Sequence, residues 1–171
     1  MDKQRGVVIV TGGSSGIGRA SADYLAEKGD TVYSFSRHGE SRAGVDHIPC
    51  DVTREDEVRE AVLCVAKKEG HIDLLICAAG FGISGVTEKT PLPLARKQLN
   101  VNFFGVVSVV SAVLPFIRAQ GRGRIVGISS LAAVFPIPFQ SFYSASKAAL
   151  EAYFSALANE VRPFGISVCC I

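Results

Sequence analysis

The sequence predicts an α/β fold, a doubly wound parallel sheet held between helices in three layers. Three observations carry this. Short β-branched runs alternate with helix-period segments along the chain, the pattern of βαβ units. The first run opens directly into a glycine-rich turn and a helix. At 171 residues, 48% hydrophobic and 20% charged, the chain has the make-up of a well-buried globular protein. Successive parallel strands then require right-handed crossovers. No linker or low-complexity stretch divides the chain, so we expect one domain over residues 1–171.

Gly6–Thr11 reads GVVIVT, a strand buried on both faces. Gly12, Gly16 and Gly18 follow within TGGSSGIG. Glycines there permit a tight turn and close backbone approach, and the amino terminus of the next helix favours an anion. That helical pattern runs from Ala20 through Tyr24 and Leu25 and stops at Gly29. Thr31–Ser36 is the second strand, with Arg37 directly after it. Val45–Cys50 is the third, ending at Asp51 and Val52. Thr53 and Asp56 resemble a capping box for a helix whose apolar face is Val58, Ala61, Val62 and Val65.

Ile72–Cys77 is the fourth strand. The small residues Ala78, Ala79 and Gly80 then let a flat ligand lie against the backbone. Phe81–Pro93 is a loop placed to line a cleft, and a long helix follows from Leu94 to Ala119. Within it Asn102 sits among apolar residues. A buried amide needs partners, so Asn102 either anchors a water or braces a neighbouring backbone. Arg122–Ser129 is the fifth strand, Leu131–Gln140 an apolar loop, and Ser141–Val161 a second long helix. On that helix Ala145, Ala149, Ala152 and Ala156 form a small stripe that would admit the sheet or another subunit. Leu150, Phe154, Leu157 and Val161 form a bulky one. Ile166–Ile171 is the sixth strand.

Charge and composition exclude several classes. The net charge is +2, with no Lys/Arg cluster, so nothing points to nucleic acid. The apolar stretch Val106–Ile117 is interrupted by Ser108, Ser111 and Pro115 and falls short of the roughly 20 residues a membrane span needs. Residues Met1–Arg5 lead into the first strand without an apolar leader, which predicts a cytoplasmic protein and no membrane partner. Cys50, Cys64, Cys77, Cys169 and Cys170 form no CxxC and read as reduced thiols; no metal site is expected.

The chemistry concentrates in Tyr143 and Lys147. At i and i+4 they share one helix face. A positive charge beside a phenol favours the phenolate, so the pair suits proton exchange with a carbonyl or alcohol oxygen. Alone, such a pair is an ordinary helix-surface feature. The glycine turn at the amino terminus gives it weight. Ser130 lies at the carboxyl end of the fifth strand, where open α/β sheets place ligands. Arg37 stands where dinucleotide folds that take NAD place an acid. A guanidinium there can hold a 2′-phosphate, which predicts NADP(H) in preference to NAD(H).

Together these motifs resemble the short-chain dehydrogenase/reductase family: TGxxxGxG at Thr11–Gly18, Asp51-Val52, the turn Cys77–Gly80, Asn102, Ser130, and YxxxK at Tyr143–Lys147. The resemblance covers essentially the whole chain. It implies a Rossmann fold and hydride transfer between NAD(P)H and a carbonyl or alcohol substrate. By similarity Tyr143 is the general acid/base, Lys147 supports it and binds the nicotinamide ribose, Ser130 orients the substrate oxygen, and Asn102 holds a relay water. Gly12, Ser14, Ser15, Gly16, Ile17 and Gly18 would surround the pyrophosphate. Asp51 and Val52 would meet the adenine, and Ala79 and Gly80 the adenosine side. The resemblance also implies a homodimer or homotetramer joined through the two long helices. A non-catalytic NADP(H)-binding module, or an inactive fragment, is the competing expectation.

Two departures stand out. The family's turn is usually Asn-Asn-Ala-Gly, whereas here it is Cys77-Ala78-Ala79-Gly80, which removes an amide brace. The family also continues past the sixth strand, so the resemblance implies a chain lacking the seventh strand and the substrate-lid helices. The apolar loop near the site predicts a nonpolar substrate.

Overall fold

The computed structural model describes residues 5–171. The expectation of no leader rests mainly on residues 1–4, which lie outside that range. Six parallel strands form one sheet: β1 (Val7–Thr11), β2 (Thr31–Ser36), β3 (Val45–Pro49), β4 (Leu74–Cys77), β5 (Gly123–Gly127) and β6 (Ile166–Cys170). Their order is β3-β2-β1-β4-β5-β6. The order turns back between β1 and β4, whose registers pair Thr11 with Cys77. Such a reversal opens a crevice at the carboxyl ends of the strands.

The helices are α1 (Gly16–Glu27), α2 (Glu55–Glu69), α3 (Leu92–Leu99), α4 (Gly105–Gln120) and α5 (Ser141–Val161). They cover the two sheet faces unequally. On one face Val58, Ala61, Val62 and Val65 of α2 meet Val109, Val110, Val113 and Ile117 of α4, with Leu150, Phe154, Leu157 and Val161 of α5 alongside. The bulky stripe of α5 is therefore its sheet-facing side. Gly127 makes room for it: a Cβ there would lie 2.9 Å from the Phe154 ring. On the other face Val8, Val10, Val32 and Ile76 pack with Ala22 of α1, and Val126 and Ile128 are only partly covered.

Several boundaries depart from expectation. Helix α1 begins at Gly16 rather than Ala20, so the glycine turn is itself the helix amino terminus. Thr53 does not cap α2; Arg54 occupies that position without a side-chain bond. Thr53 instead turns back, its amide and hydroxyl both donating to Asp51 Oδ1. The short Asx turn wins because it satisfies both donors locally. The predicted helix Leu94–Ala119 starts earlier, at Leu92, and passes through a π-helical turn at Asn100–Phe104. As one run, Leu92–Gln120 is 29 residues and contains an 18-residue window with a mean hydropathy of 1.8, long and apolar enough by those two measures to cross a membrane. That amends the expectation of no such segment. Here its apolar face is the core contact with α2. The small stripe of α5 faces away from the sheet: Ala145, Ala152 and Ala156 are exposed.

Candidate functional site

A cavity of about 780 Å³ opens at the carboxyl ends of the strands, at the point where strand order reverses. One wall is the glycine turn. Gly12 donates its amide to Phe35 O (2.8 Å), fixing the turn onto β2. Gly12 has φ +70°, and a Cβ there would lie 2.8 Å from Ala79 N and Cα. A Cβ on Gly18 would lie 2.4 Å from Gly12 O. Only glycine allows the turn, the fourth-strand loop and α1 to approach so closely. Ser15 precedes α1 in extended conformation and makes no side-chain cap, so the first amides of the helix are left for a ligand.

The cavity gathers Gly12, Ser14, Ser15, Gly16, Ile17, Gly18, Arg37, Asp51, Val52, Ala79, Gly80, Tyr143 and Lys147. Every predicted cofactor residue is thus on one wall or another. Arg37 is exposed at the end of β2. Asp51 is held below the ordinary carboxyl range: burial pulls upward, but the two Thr53 bonds and the charges of Arg37 and Arg54 outweigh it. The 77–80 turn, which lacks the expected amide, is tied to β1 by Thr11 Oγ1, which accepts from the amides of Ala78 and Ala79 at 3.2 Å each.

Tyr143 and Lys147 stand on the opposite wall, on α5. Lys147 is 7% exposed, and its Nζ donates to Ile128 O (2.6 Å) while lying 5.8 Å from the Tyr143 ring centre. Burial holds this ammonium below the ordinary lysine range, with the Cys170 thiol at the end of β6 acting in the opposite sense. The missing Cβ of Gly82 would lie 3.6 Å from the Tyr143 ring, so a bare backbone faces the phenol.

Asn102 and Ser130 do not line the cavity. Asn102 is 1% exposed and fully committed. Its Oδ1 accepts from Phe81 N (3.0 Å); its Nδ2 donates to Phe81 O (2.9 Å) and to Ser146 Oγ (3.1 Å). Ser146 in turn donates to Tyr143 O (2.7 Å). Of the two roles weighed for Asn102, the side chain takes the brace. It ties the Phe81 loop to the helix turn that carries Tyr143. Ser130 begins the short 3₁₀ turn Leu131–Ala133, and its Oγ accepts from Ala132 N (3.2 Å). Its neighbour Ser129 does line the cavity and has a buried hydroxyl with no partner.

Sequence reasoning missed five polar wall residues: Ser36, His38, Lys97, Ser129 and Gln140. Gln140 had a usable signal, as the last residue of the apolar loop read as lying near the site. With Arg37, His38, Lys97 and Lys147 against Asp51, the wall favours a polyanion. The glycine cradle and this charge balance fit a dinucleotide.

The short chain dehydrogenase profile matches residues 6–171. The chain belongs to the short-chain dehydrogenase family. It is 45% identical over 166 residues to a 3-ketodihydrosphingosine reductase of Bacteroides thetaiotaomicron, an alignment covering 96% of this chain and 62% of the relative. It is 39% identical over 170 residues to a probable short-chain type dehydrogenase/reductase of Helicobacter pylori, covering 96% and 63%. A short-chain dehydrogenase of Streptomyces avermitilis superposes with a TM-score of 0.94 at 35% identity, over 99% of this chain and 65% of that one. The chain therefore spans somewhat under two thirds of the length of the relatives it matches. The family consists of oxidoreductases, and the six-stranded parallel sheet is its Rossmann-type fold.

Proposed function

We propose that the 171 residues form one NAD(P)-binding unit of an enzyme that interconverts a nonpolar ketone and its alcohol. One observation carries this reading. The proton-transfer pair Tyr143 and Lys147 faces the same cavity as the glycine turn. In this reading Gly12 to Gly18 hold the pyrophosphate, Asp51 and Val52 the adenine, Ala79 and Gly80 the adenosine side, and Arg37 the 2′-phosphate that selects NADP(H) over NAD(H).

NADPH, when bound, supplies the hydride for the carbonyl carbon. The remaining work falls to side chains. Tyr143 gives its proton to the substrate oxygen, and the buried Lys147 ammonium steadies the phenolate left behind. We assign Ser130 to the same oxygen from the family resemblance, although Ser129 and not Ser130 lines the cavity; because its Oγ accepts from the Ala132 amide, its own proton is free to be donated. Donors aimed at an oxygen that gains charge stabilise the transition state more than the ground state. Asn102 contributes by holding the Phe81 loop against α5; a relay water, if used, is left to main-chain groups of its helical turn.

The substrate class follows from the rim. Leu131, Val134, Phe135, Ile137 and Phe139 are all exposed, from 43% to 80%, on the loop that leads to Gln140 in the cavity wall. The facing loop is laced to it by Gly85 N to Phe139 O (2.8 Å) and Gln140 Nε2 to Ser84 Oγ (3.1 Å). An apolar shelf of this kind suits a long alkyl chain, consistent with the sphingoid ketone in the name of the Bacteroides relative. We further infer a cytoplasmic homo-oligomer: the described cysteines are all free, and the alanine stripe of α5 faces outward.

The test is Tyr143→Phe. Dissociation constants for NADPH come from fluorescence titration, and turnover from NADPH consumption with a long-chain 3-ketone. Binding should stay within about threefold and turnover fall by about 10²-fold or more. Full turnover in the variant overturns the assignment of Tyr143. Absence of NADPH binding in the wild type overturns the reading of the cavity.

A further inference from the structure

The strap between β2 and β3 does more than connect them. Arg42 and Val45 bond each other through both backbone groups, Arg42 N to Val45 O at 2.9 Å and Val45 N to Arg42 O at 2.8 Å. Gly44, at φ +75°, completes the turn, and a Cβ there would lie 2.9 Å from Ala26 Cβ on α1. The turn is thus seated on α1. From it the Arg42 side chain, 23% exposed, reaches inward. Its Nε donates to Asp23 of α1, and its Nη2 donates to the carbonyl of Gly13 (3.2 Å). Gly13 is the buried middle of the glycine turn and does not line the cavity, whereas Gly12 and Ser14 on either side do. Its far side is closed too, since a Cβ on Gly13 would lie 2.5 Å from Ser34 Oγ.

Upstream, the same strap carries Arg37 and His38 into the cavity wall. It is itself held by Ser36 Oγ donating to His38 O (2.9 Å) and by His47 N donating to Ser41 Oγ (2.9 Å). One continuous bonded strap therefore joins the adenosine end of the cavity to the pyrophosphate end.

We propose that Arg42 is a positioning residue for the cofactor: by holding the Gly13 carbonyl and Asp23 together, it keeps the glycine turn in its binding shape before the ligand arrives. This rests on reading the cavity as an NAD(P) site. A turn already ordered does not have to be ordered on binding, which raises affinity without touching the chemistry. The carbonyl it holds is also kept from turning toward the phosphates, where it would repel them.

The experiment compares wild type with Arg42→Met, Arg42→Lys and, as a control, Lys68→Met, which breaks the exposed pair to Asp46 and the contact with the Tyr33 ring but leaves Arg42, Asp23 and Gly13 their own bonds. NADPH and NADH binding are titrated separately, turnover is read at saturating cofactor, and amide exchange is followed over residues 13–16 without ligand. Arg42→Met should weaken both dinucleotides by the same factor, about tenfold for one lost charge-assisted bond. It should leave saturated turnover unchanged and speed exchange in the turn. Arg42→Lys keeps the charge but has one donor head for two acceptors, so it should recover part of the affinity. It also serves if the methionine variant does not fold. Affinities within twofold of wild type, an equal loss in Lys68→Met, or a loss confined to NADPH would each overturn the proposal; the last makes Arg42 a direct phosphate ligand. If wild type binds neither dinucleotide, the cavity reading fails, and unchanged exchange in Arg42→Met then overturns the positioning role by itself.

Discussion

Asn102→Ala tests whether the brace behind Tyr143 is as important as its geometry implies. The amide makes three hydrogen bonds and is 1% exposed. Truncation does not strand all three partners. Phe81 O keeps Gln98 Nε2 (2.9 Å), and Ser146 Oγ keeps donating to Tyr143 O (2.7 Å). The amide N–H of Phe81 loses its partner outright. A stranded buried donor costs about 1–3 kcal/mol, and two bonds whose partners keep a second contact add about 0.5–1 kcal/mol each. The expected loss is about 2–5 kcal/mol, read as a shift in urea midpoint at unchanged m-value. Gln98→Ala removes the other donor to Phe81 O. The double variant should cost more than the sum by at least about 0.5 kcal/mol, because each single variant leaves that carbonyl one partner and the pair leaves it none. A single-variant loss below about 1 kcal/mol, or strict additivity, refutes the idea that the Phe81 backbone is held by these two amides.

Other predictions follow from single distances. Gly18→Ala and Gly16→Ala separate two reasons for glycine: Gly18 has no room, with Gly12 O at 2.4 Å from its virtual Cβ, whereas Gly16 has open space but φ +53°. Urea unfolding should give about 1–3 kcal/mol for the first and about 1 kcal/mol for the second, and only the first should disturb the turn. Arg37→Asp should raise the dissociation constant for NADPH at least about tenfold and leave NADH unchanged or tighter, by titration. Burial first, then the charges of Glu57 and Asp51, push the Cys50 thiol up to about 11 from an ordinary value of 9.0. The folded state therefore keeps a proton that the unfolded chain releases. The contribution is fully present below pH 9 and lost as pH rises toward 11. Cys50→Ala should flatten the fall of stability between those values in urea melts. Lys147 acts with the opposite sign: its lowered value adds stability as pH rises toward the ordinary lysine range.

Elements whose identity comes from a repeated apolar pattern were readable from sequence. Val58, Ala61, Val62 and Val65 repeat at helix spacing and are all buried against α4. GVVIVT is buried throughout its strand because helices cover it on both sides. The glycine turn was readable as well, because TGGSSGIG between a strand and a helix leaves few conformations. Its three glycines nonetheless answer different constraints, and no sequence rule separates a missing Cβ required by φ from one required by a neighbour 67 residues on. The distance from Gly12 to Ala79 is of the second kind.

What sequence could not reveal is how polar side chains divide their bonds. Thr53 had an equally good use at the helix start, but Asp51 lay two residues back and could satisfy both its donors. Ser130 lies three residues past β5 and outside the cavity lining, and its acceptor role toward Ala132 depends on the 3₁₀ turn that follows. Asn102 is the sharpest case. A lone amide in an apolar helix signals a partner without naming one, and the partner proved to be a loop 21 residues earlier together with Ser146 on α5. Its π-helical turn is part of the reason, because one extra residue in the turn displaces the side chain from the regular helix face. The sheet brings the glycine turn and α5 within one cavity; the Asn102–Ser146 and Arg42–Gly13 bonds decide how rigidly each wall is held there.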